Sequence, residues 1–219
     1  MEKYPDYQTY RALYARYFDG GRSVVELLQL LQPLRGVRLL DLCAGEGWVT
    51  IAALDEYVRE VVLVDQESAM IPADMLDHPQ VRVQIMPVRD ALLQMHVRSE
   101  SVDRIVCRQA LNYWLNPETA KLAADVLAPR GILAFNTFNE RPSEKPYVRE
   151  YKLGDHSFVE VSWLIGDTVH HVQVREGMAP HHTSFKWLSP RTIRQLLELY
   201  FDVDHERRGK TSLYKCMKK

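Results

Sequence analysis

The chain has few cysteines, no metal-binding motif and no long apolar run. Its 219 residues include three cysteines, Cys43, Cys107 and Cys216, which lie far apart and form no CxxC pair. This spacing excludes a disulfide framework and the common zinc motifs, and it is typical of a reducing compartment. No apolar segment reaches transmembrane length, and the first residues carry no apolar signal core. We therefore expect a cytoplasmic protein that does not bind membranes.

The chain also lacks an excess of either charge. It contains 28 basic and 29 acidic residues, for a net charge of −1. This balance provides no long-range attraction for a polyanion, so we expect no nucleic-acid partner. The hydrophobic fraction of 46% suffices for a packed core. We predict a monomer or homodimer whose partner is a small molecule.

Two adjacent histidine pairs, His170-His171 and His181-His182, invite a metal interpretation. Adjacent residues on a strand point to opposite faces, so each pair offers at most one ligand to a face. No carboxylate or thiol at suitable spacing completes a zinc site, and we predict no metal. His181, His182 and Tyr113 are instead candidates for a catalytic base.

Strand-like and helix-like segments alternate between residues 23 and 138. The predicted strands cover 37–42, 60–65, 81–86, 102–108 and 131–138, and the predicted helices cover 23–32, 47–56, 67–76 and 116–129. Ser23 is the expected cap of the first of these helices. The strands are nearly continuous apolar runs, as in a parallel sheet covered on both faces. The pattern therefore predicts a Rossmann-like, doubly wound α/β sheet.

The pattern changes after residue 138. Four further strand-like segments cover 147–153, 157–165, 168–174 and 182–188, with Gly166-Asp167 as a two-residue hairpin turn. A helix then begins at Ser189-Pro190, and segments 201–208 and 211–218 form an antiparallel pair at the sheet edge. We predict a core of residues 1–138 and 189–219. Its N-terminal helical cap includes a tyrosine-rich helix over 7–18, and a β-rich insert of residues 139–188 covers the substrate.

Polar residues follow the carboxyl ends of the predicted strands, where such sheets bind ligands. Asp41 ends the first strand and leads into a glycine-containing turn over 43–47, while Asp65 ends the second and can accept both hydroxyls of a ribose. Asp90 follows the third strand and can reach an adenine amino group. The turn lacks a full GxGxxG pattern, and its Glu46 would repel a pyrophosphate. A cationic ligand with a ribose and an adenine fits these residues better.

These segments together resemble the class I S-adenosylmethionine (SAM) dependent methyltransferases. The resemblance covers about residues 35–138, through DLCAGEG, VLVDQESAMI, SVDRIVCRQALNYW and LAPRGILAF. Cys43 stands where the family has its first glycine, and Arg130-Gly131 replace a double glycine. The resemblance implies SAM as cofactor, with Asp65 on the ribose and Asp90 near the adenine. It implies that the cofactor-binding residues are Asp41, Cys43, Ala44, Gly45, Gly47, Asp65, Gln66, Met70, Asp90, Ala91, Arg108, Gln109, Tyr14 and Tyr17.

Methyl transfer is an in-line displacement, and a base is needed only when the nucleophile must lose a proton early, as a hydroxyl must. We predict a methyltransferase acting on a nitrogen or oxygen of a small molecule, with Asn112, Trp163 and Phe185 contacting the substrate. One alternative is an RNA or protein methyltransferase. Another is a SAM-using enzyme of different chemistry, such as cyclisation of SAM itself.

Overall fold

The computed structural model describes residues 21–138, 141–153, 156–175, 180–209 and 211–219. The predicted helix over 7–18, with Tyr14 and Tyr17, lies outside the described residues, as does the side chain of His181. The described residues fall into two compact units. We call residues 21–138 with 190–219 the core unit and residues 141–189 the insert unit.

Eleven strands and six α-helices make up the described part of the chain. The strands are β1 Arg38–Leu42, β2 Glu60–Asp65, β3 Val81–Ile85, β4 Val102–Arg108, β5 Leu127–Phe138, β6 Tyr147–Leu153, β7 His156–Ile165, β8 Thr168–Arg175, β9 His181–Lys186, β10 Phe201–Arg208 and β11 Thr211–Lys218. The α-helices are α1 Arg22–Leu31, α2 Trp48–Asp55, α3 Ala73–Leu76, α4 Val88–Val97, α5 Pro117–Val126 and α6 Pro190–Leu197. Short 3-10 turns cover Ser68–Met70 and Leu111–Tyr113.

The core unit is built on a seven-stranded sheet in the order β10-β11-β5-β4-β1-β2-β3. Strands β1 to β5 run parallel, and β11 pairs antiparallel with both β5 and β10. The chain winds outward from β1 to β3 and then returns to place β4 on the other side of β1. The strand order therefore reverses between β1 and β4, which is where doubly wound sheets bind their ligands. The predicted Rossmann-like sheet with an antiparallel edge pair is confirmed.

The inner strands are apolar because both faces of the sheet are covered. Leu39, Leu40 and Leu42 of β1 are fully buried, as are all residues from Val61 to Val64. Helix α1 contributes Leu27 and Leu31 to the same apolar cluster. Each such side chain adds about 1.5–3 kcal/mol relative to exposure, so this packing holds the strand ends in fixed positions.

Two helix predictions were wrong in detail. The segment 67–76 is one 3-10 turn and the short α3, because Pro72 between them has an extended backbone (φ −61°, ψ 143°). Helix α1 begins at Arg22 after a left-handed Gly21 (φ 84°), so Ser23 is not its cap. Helix α4 was not predicted as a helix, although its first turn contains Asp90.

The insert unit contains a separate antiparallel sheet in the order β6-β7-β8-β9. Gly166-Asp167 forms the β7–β8 turn, and Ile165 pairs with Thr168 directly beside it. The strand register places Trp163, His170 and His182 on one face of this sheet. The other face carries Phe158, Glu160, Ser162, Leu164, Val169, His171, Gln173, Thr183 and Phe185. Four of the residues on this second face, Phe158, Glu160, Leu164 and Val169, are less than 5% exposed.

Within the described residues, no helix is both long and apolar enough to cross a membrane.

Candidate functional site

The turn between β1 and α2 brings its backbone to the carboxyl end of β1. Gly45 and Gly47 adopt left-handed φ angles of 54° and 70°, which glycine takes without steric penalty. The Gly47 amide donates to the Ala44 carbonyl (2.9 Å), and the Ala44 amide donates to the Val64 carbonyl of β2 (3.1 Å). A Cβ on Gly45 would lie 3.4 Å from the Met70 side chain. The turn is therefore compact and leaves little room for side chains beside Met70.

Cys43 also adopts a left-handed backbone, with φ 54°. A residue with a Cβ is disfavoured there by about 1–2 kcal/mol. Cys43 stands where the related family has its first glycine. The left-handed backbone of Cys43 therefore strains the turn, and glycine at this position would avoid the strain.

Glu46 is buried inside the same turn, at 5% exposure. Its carboxylate accepts a hydrogen bond from the indole nitrogen of Trp48 (2.9 Å). The acid is thus part of the turn itself, and its negative charge disfavours an anionic ligand at the start of α2.

Asp65 at the end of β2 holds this turn in place. One of its oxygens accepts the Gly45 amide (2.8 Å), and the other accepts the Glu67 amide (2.9 Å). A carboxylate has about four acceptor positions, so each oxygen retains one for a further donor. Asp65 is partly exposed, and these remaining positions can accept two neighbouring hydroxyl groups.

Asp41 at the end of β1 is almost completely buried, at 1% exposure. Its carboxylate accepts a hydrogen bond from the Thr50 hydroxyl (2.8 Å), which ties α2 to β1. Burial raises the pKa of Asp41 to about 7, although the Thr50 hydrogen bond and the charge of Arg108 oppose the shift. The side chain therefore titrates near neutrality, and a cation nearby would favour its ionised form.

Arg108 and Gln109 end β4, next to β1. The Arg108 guanidinium is buried and donates to the Ser23 hydroxyl of α1 (3.2 Å), which ties the first turn of that helix to the end of β4. Gln109 has a left-handed φ of 57°, and its amide donates to the Asn136 side chain of β5 (2.9 Å). Two strained residues, Cys43 and Gln109, thus flank the point where the strand order reverses.

Asn112 and Tyr113 lie in the 3-10 turn that follows β4. The Asn112 side-chain oxygen is buried and, within the described part of the chain, has no hydrogen-bond partner. Desolvation, with a smaller contribution from Cys43, raises the pKa of Tyr113 to about 12, even though 45% of the residue is exposed. A phenol with this pKa stays protonated at neutral pH, so Tyr113 is better suited to donate a hydrogen bond than to act as a base.

The remaining predicted cofactor residues differ in exposure. Met70 and Ala91 are buried, and Gln66 is exposed. Asp90 lies in the first turn of α4 with a largely exposed side chain, 3.3 Å from Arg89, which also pairs with Glu118 (2.8 Å). Asp65, Gly45 and Met70 are thus brought together. Asp90 is largely exposed to solvent, and its contact with the adenine stays a prediction.

The insert unit contains a polar cluster that the sequence analysis missed. The Ser162 hydroxyl lies 2.6 Å from the His171 Nδ1, and the Gln173 amide donates to the Glu160 carboxylate (3.1 Å). Burial lowers the pKa of His171, which keeps its imidazole neutral near pH 7. The hairpin at Gly166-Asp167 was the signal for this cluster, because its register fixes which residues of β7 and β8 are paired.

The predicted substrate residues of the insert unit lie on opposite faces of its sheet. Trp163 stacks on His170 (ring centroids 5.2 Å apart) and His182 (6.4 Å), and the two imidazoles approach to 3.3 Å. Phe185 lies on the other face, with His171. A ligand on one face of the sheet can therefore contact Trp163 and His182, whereas a ligand on the other face can contact Phe185. The substrate-binding roles of Trp163 and Phe185 stay predictions.

Comparison with known proteins identifies the class of this chain. A family model described as a methyltransferase domain matches residues 9–203. An uncharacterized methyltransferase of Schizosaccharomyces pombe is 28% identical over 112 residues, which cover 51% of this chain and 43% of that protein. A second one, described as methyltransferase-like, is 26% identical over 132 residues, covering 57% and 50%. The chain thus spans about half the length of the curated relatives it matches.

Solved structures share the fold. A SAM-bound amino pentose methyltransferase from Micromonospora echinaspora has a TM-score of 0.74 at 14% identity, with 96% of this chain and 97% of that one covered. A sugar N-methyltransferase from a Streptoalloteichus species has a TM-score of 0.72 at 14% identity, with 96% and 92% covered. The chain belongs to the methyltransferase domain family, and its fold is that of the class I SAM-dependent methyltransferases.

Proposed function

We propose that this chain transfers the methyl group of SAM to a nitrogen or oxygen atom of a small molecule. The observation that carries the proposal is the pairing of the glycine turn with Asp65 where the strand order reverses. The carboxylate orders the turn through Gly45 and keeps acceptor positions for two adjacent hydroxyls, the pattern that a ribose presents.

The residues at the strand ends fit SAM in charge as well as in shape. SAM carries a positive sulfonium and a positive ammonium group, and the ends of β1 and β2 supply Asp41 and Asp65. Buried Arg108 is a matching partner for the SAM carboxylate. The Gly45 and Gly47 backbone would approach the cofactor, and Met70 would pack on its adenine.

In this reaction SAM supplies an electrophilic methyl group on a positively charged sulfur. The chain's own residues bind and align the reactants, because an in-line displacement depends mainly on positioning. Asp65 would hold the ribose through its remaining acceptor positions, and the left-handed turn would present its backbone to the cofactor. Neutral Tyr113 and the Asn112 side chain offer a hydrogen-bond donor and an acceptor at the end of β4.

A small-molecule acceptor agrees with the net charge of −1, which gives the chain no overall attraction for a polyanion such as RNA. It also agrees with the two fold neighbours, which are described as an amino pentose methyltransferase and a sugar N-methyltransferase. The β-rich insert unit supplies apolar and polar side chains of the kind that line small-molecule sites. Among the residues that the structure describes, we find no feature that favours the RNA, protein or SAM-cyclising alternatives over this one.

The donor half of the proposal is tested by thermal unfolding with S-adenosylhomocysteine, the demethylated product of SAM. At about one hundred times its dissociation constant, a ligand stabilises a protein by about 2.7 kcal/mol, or roughly 5–10 °C for a chain of this size. Asp65→Ala should lose most of this shift, while Asp202→Ala, which removes an exposed acid on β10, should keep it. The absence of a shift in the unmodified protein would contradict the proposal.

A further inference from the structure

Asn136 is a polar side chain at the end of an apolar run in β5. The four residues before it, from Ile132 to Phe135, are buried and apolar, and Asn136 itself is only 2% exposed. Its side-chain oxygen accepts the backbone amide of Gln109 (2.9 Å), the first residue after β4. A buried polar group persists where a hydrogen bond offsets its desolvation, so the bond to Gln109 accounts for an amide at this position.

The backbone of Gln109 is strained, because its φ of 57° is left-handed. A residue with a Cβ is disfavoured in this conformation by about 5- to 30-fold in population, and such strain persists only where the surrounding structure imposes it. The hydrogen bond to Asn136 supplies that constraint, since it joins Gln109 to a strand that is paired on both sides. Strained backbone of this kind is concentrated at binding and catalytic sites.

The bend at Gln109 decides where the residues on either side of it lie. Before the bend, Arg108 is close enough to Asp41 for its charge to oppose the rise in the pKa of that carboxyl. After the bend, the chain enters the 3-10 turn, where Tyr113 is close enough to Cys43 for an electrostatic interaction. Both interactions reach the end of β1 and the turn that follows it, so the direction of the chain at Gln109 fixes both.

Resting on the proposed function, we propose that Asn136 is a positioning residue for SAM binding. It holds Gln109 in the left-handed conformation, and this bend aligns Arg108 with the end of β1 and the 3-10 turn with the glycine turn. Asn136 touches neither reactant and exchanges no proton. Its contribution is to keep the site in the binding-competent arrangement before the ligand arrives, so its loss should weaken binding by the fraction of molecules that leave this arrangement.

Calorimetric titration of the full chain with S-adenosylhomocysteine tests this proposal without a known acceptor. Asn136→Ala should bind the ligand about 5- to 30-fold more weakly, because the strained bend must then form at the expense of binding. Asn136→Asp keeps an oxygen acceptor for the Gln109 amide and should retain most of the affinity. Asn136→Ser, whose hydroxyl lies one bond nearer the backbone and falls short of the amide, replaces the alanine variant if that variant does not fold.

Gln109→Gly separates positioning from a general loss of structure. Glycine adopts positive φ about as readily as negative φ, so the bend then depends less on its anchor. Adding Asn136→Ala to Gln109→Gly should therefore weaken binding by only about two- to threefold, compared with Gln109→Gly alone. Any contact of the Gln109 side chain with the ligand cancels, because the comparison is made within each background.

Ser212→Ala is the matched control. Ser212 is another buried polar residue of the same sheet, with its hydroxyl 2.7 Å from the His205 Nε2, and it lies on β11 instead of beside Gln109. Its replacement should lower the free energy of unfolding and leave the affinity for S-adenosylhomocysteine unchanged. Circular dichroism at the titration temperature checks that each variant is folded.

Four results would overturn the inference. They are an unchanged affinity in Asn136→Ala, the same loss in Asn136→Asp, the same loss in the two Gln109 backgrounds, and an equal loss in Ser212→Ala. Each would leave Asn136 with no role beyond general support of the sheet. Failure of the unmodified protein to bind S-adenosylhomocysteine would instead refute the proposed function, so the two failures are distinguishable.

Discussion

The buried carboxyl of Asp41 should make the stability of this protein fall as the pH rises from about 4 to about 7. Its folded-state pKa of about 7 lies above the ordinary value of 3.8, so the folded protein holds this proton more tightly than the unfolded chain does. The contribution of the group to stability is therefore complete below pH 4, declines through the interval and is lost above pH 7. Three pKa units correspond to about 4 kcal/mol, which is an upper limit for a group that retains its Thr50 hydrogen bond.

Asp41→Asn isolates this contribution. The asparagine can still accept the Thr50 hydroxyl, but it does not titrate. The free energy of unfolding of the variant, minus that of the unmodified protein, should therefore increase by about 1–4 kcal/mol between pH 4.5 and pH 8. Other titrating groups are common to both proteins and cancel in the difference.

Urea denaturation at four pH values measures this difference directly. Asp202→Asn changes an exposed acid on β10 and serves as the matched control, with a difference that does not vary with pH. A constant difference for Asp41→Asn across the range would refute the reasoning. It would mean that Asp41 is ionised in the folded protein throughout.

Two further predictions concern the end of β1, where Asp41 leads into the turn that contains Cys43. Cys43→Gly should raise the free energy of unfolding by up to about 1 kcal/mol, because glycine relieves the strained φ of 54° but adds freedom to the unfolded chain; denaturant titration measures this, and a clear loss of stability would count against stored strain. SAM should bind more tightly at pH 8 than at pH 6 in calorimetric titrations, because its positive groups favour ionised Asp41, and binding should release protons. Asp41→Asn should lose this pH dependence, and equal dependence in both proteins would place the titrating group elsewhere.

Much of the core unit follows from local pattern. Strands β2 and β4 were predicted at their observed bounds, because their apolar runs end at the acidic Asp65 and the basic Arg108. Tertiary packing decided the exceptions. Pro72 divides a segment whose composition favours one helix, and Ser23 is drawn into contact with Arg108, which lies 85 residues away in sequence.

The site was partly predictable for a related reason. Asp41, Asp65 and the glycine turn stand at strand ends, so the strand assignments alone place them together. The unpaired oxygen of Asn112 and the raised pKa of Tyr113 depend on burial, which no local pattern reveals. The Ser162–His171 contact lies between these extremes, because the hairpin register predicts the pairing but not the burial of that face.

The central claim is that this chain moves a methyl group from SAM to a second molecule. The most direct measurement is mass-spectrometric product analysis after incubation of the full chain with SAM, once alone and once with a panel of small-molecule amines and alcohols. We predict that SAM alone is left unchanged, and that with an acceptor S-adenosylhomocysteine forms in step with a methylated product. Formation of methylthioadenosine and a cyclic amino acid from SAM alone would contradict the account.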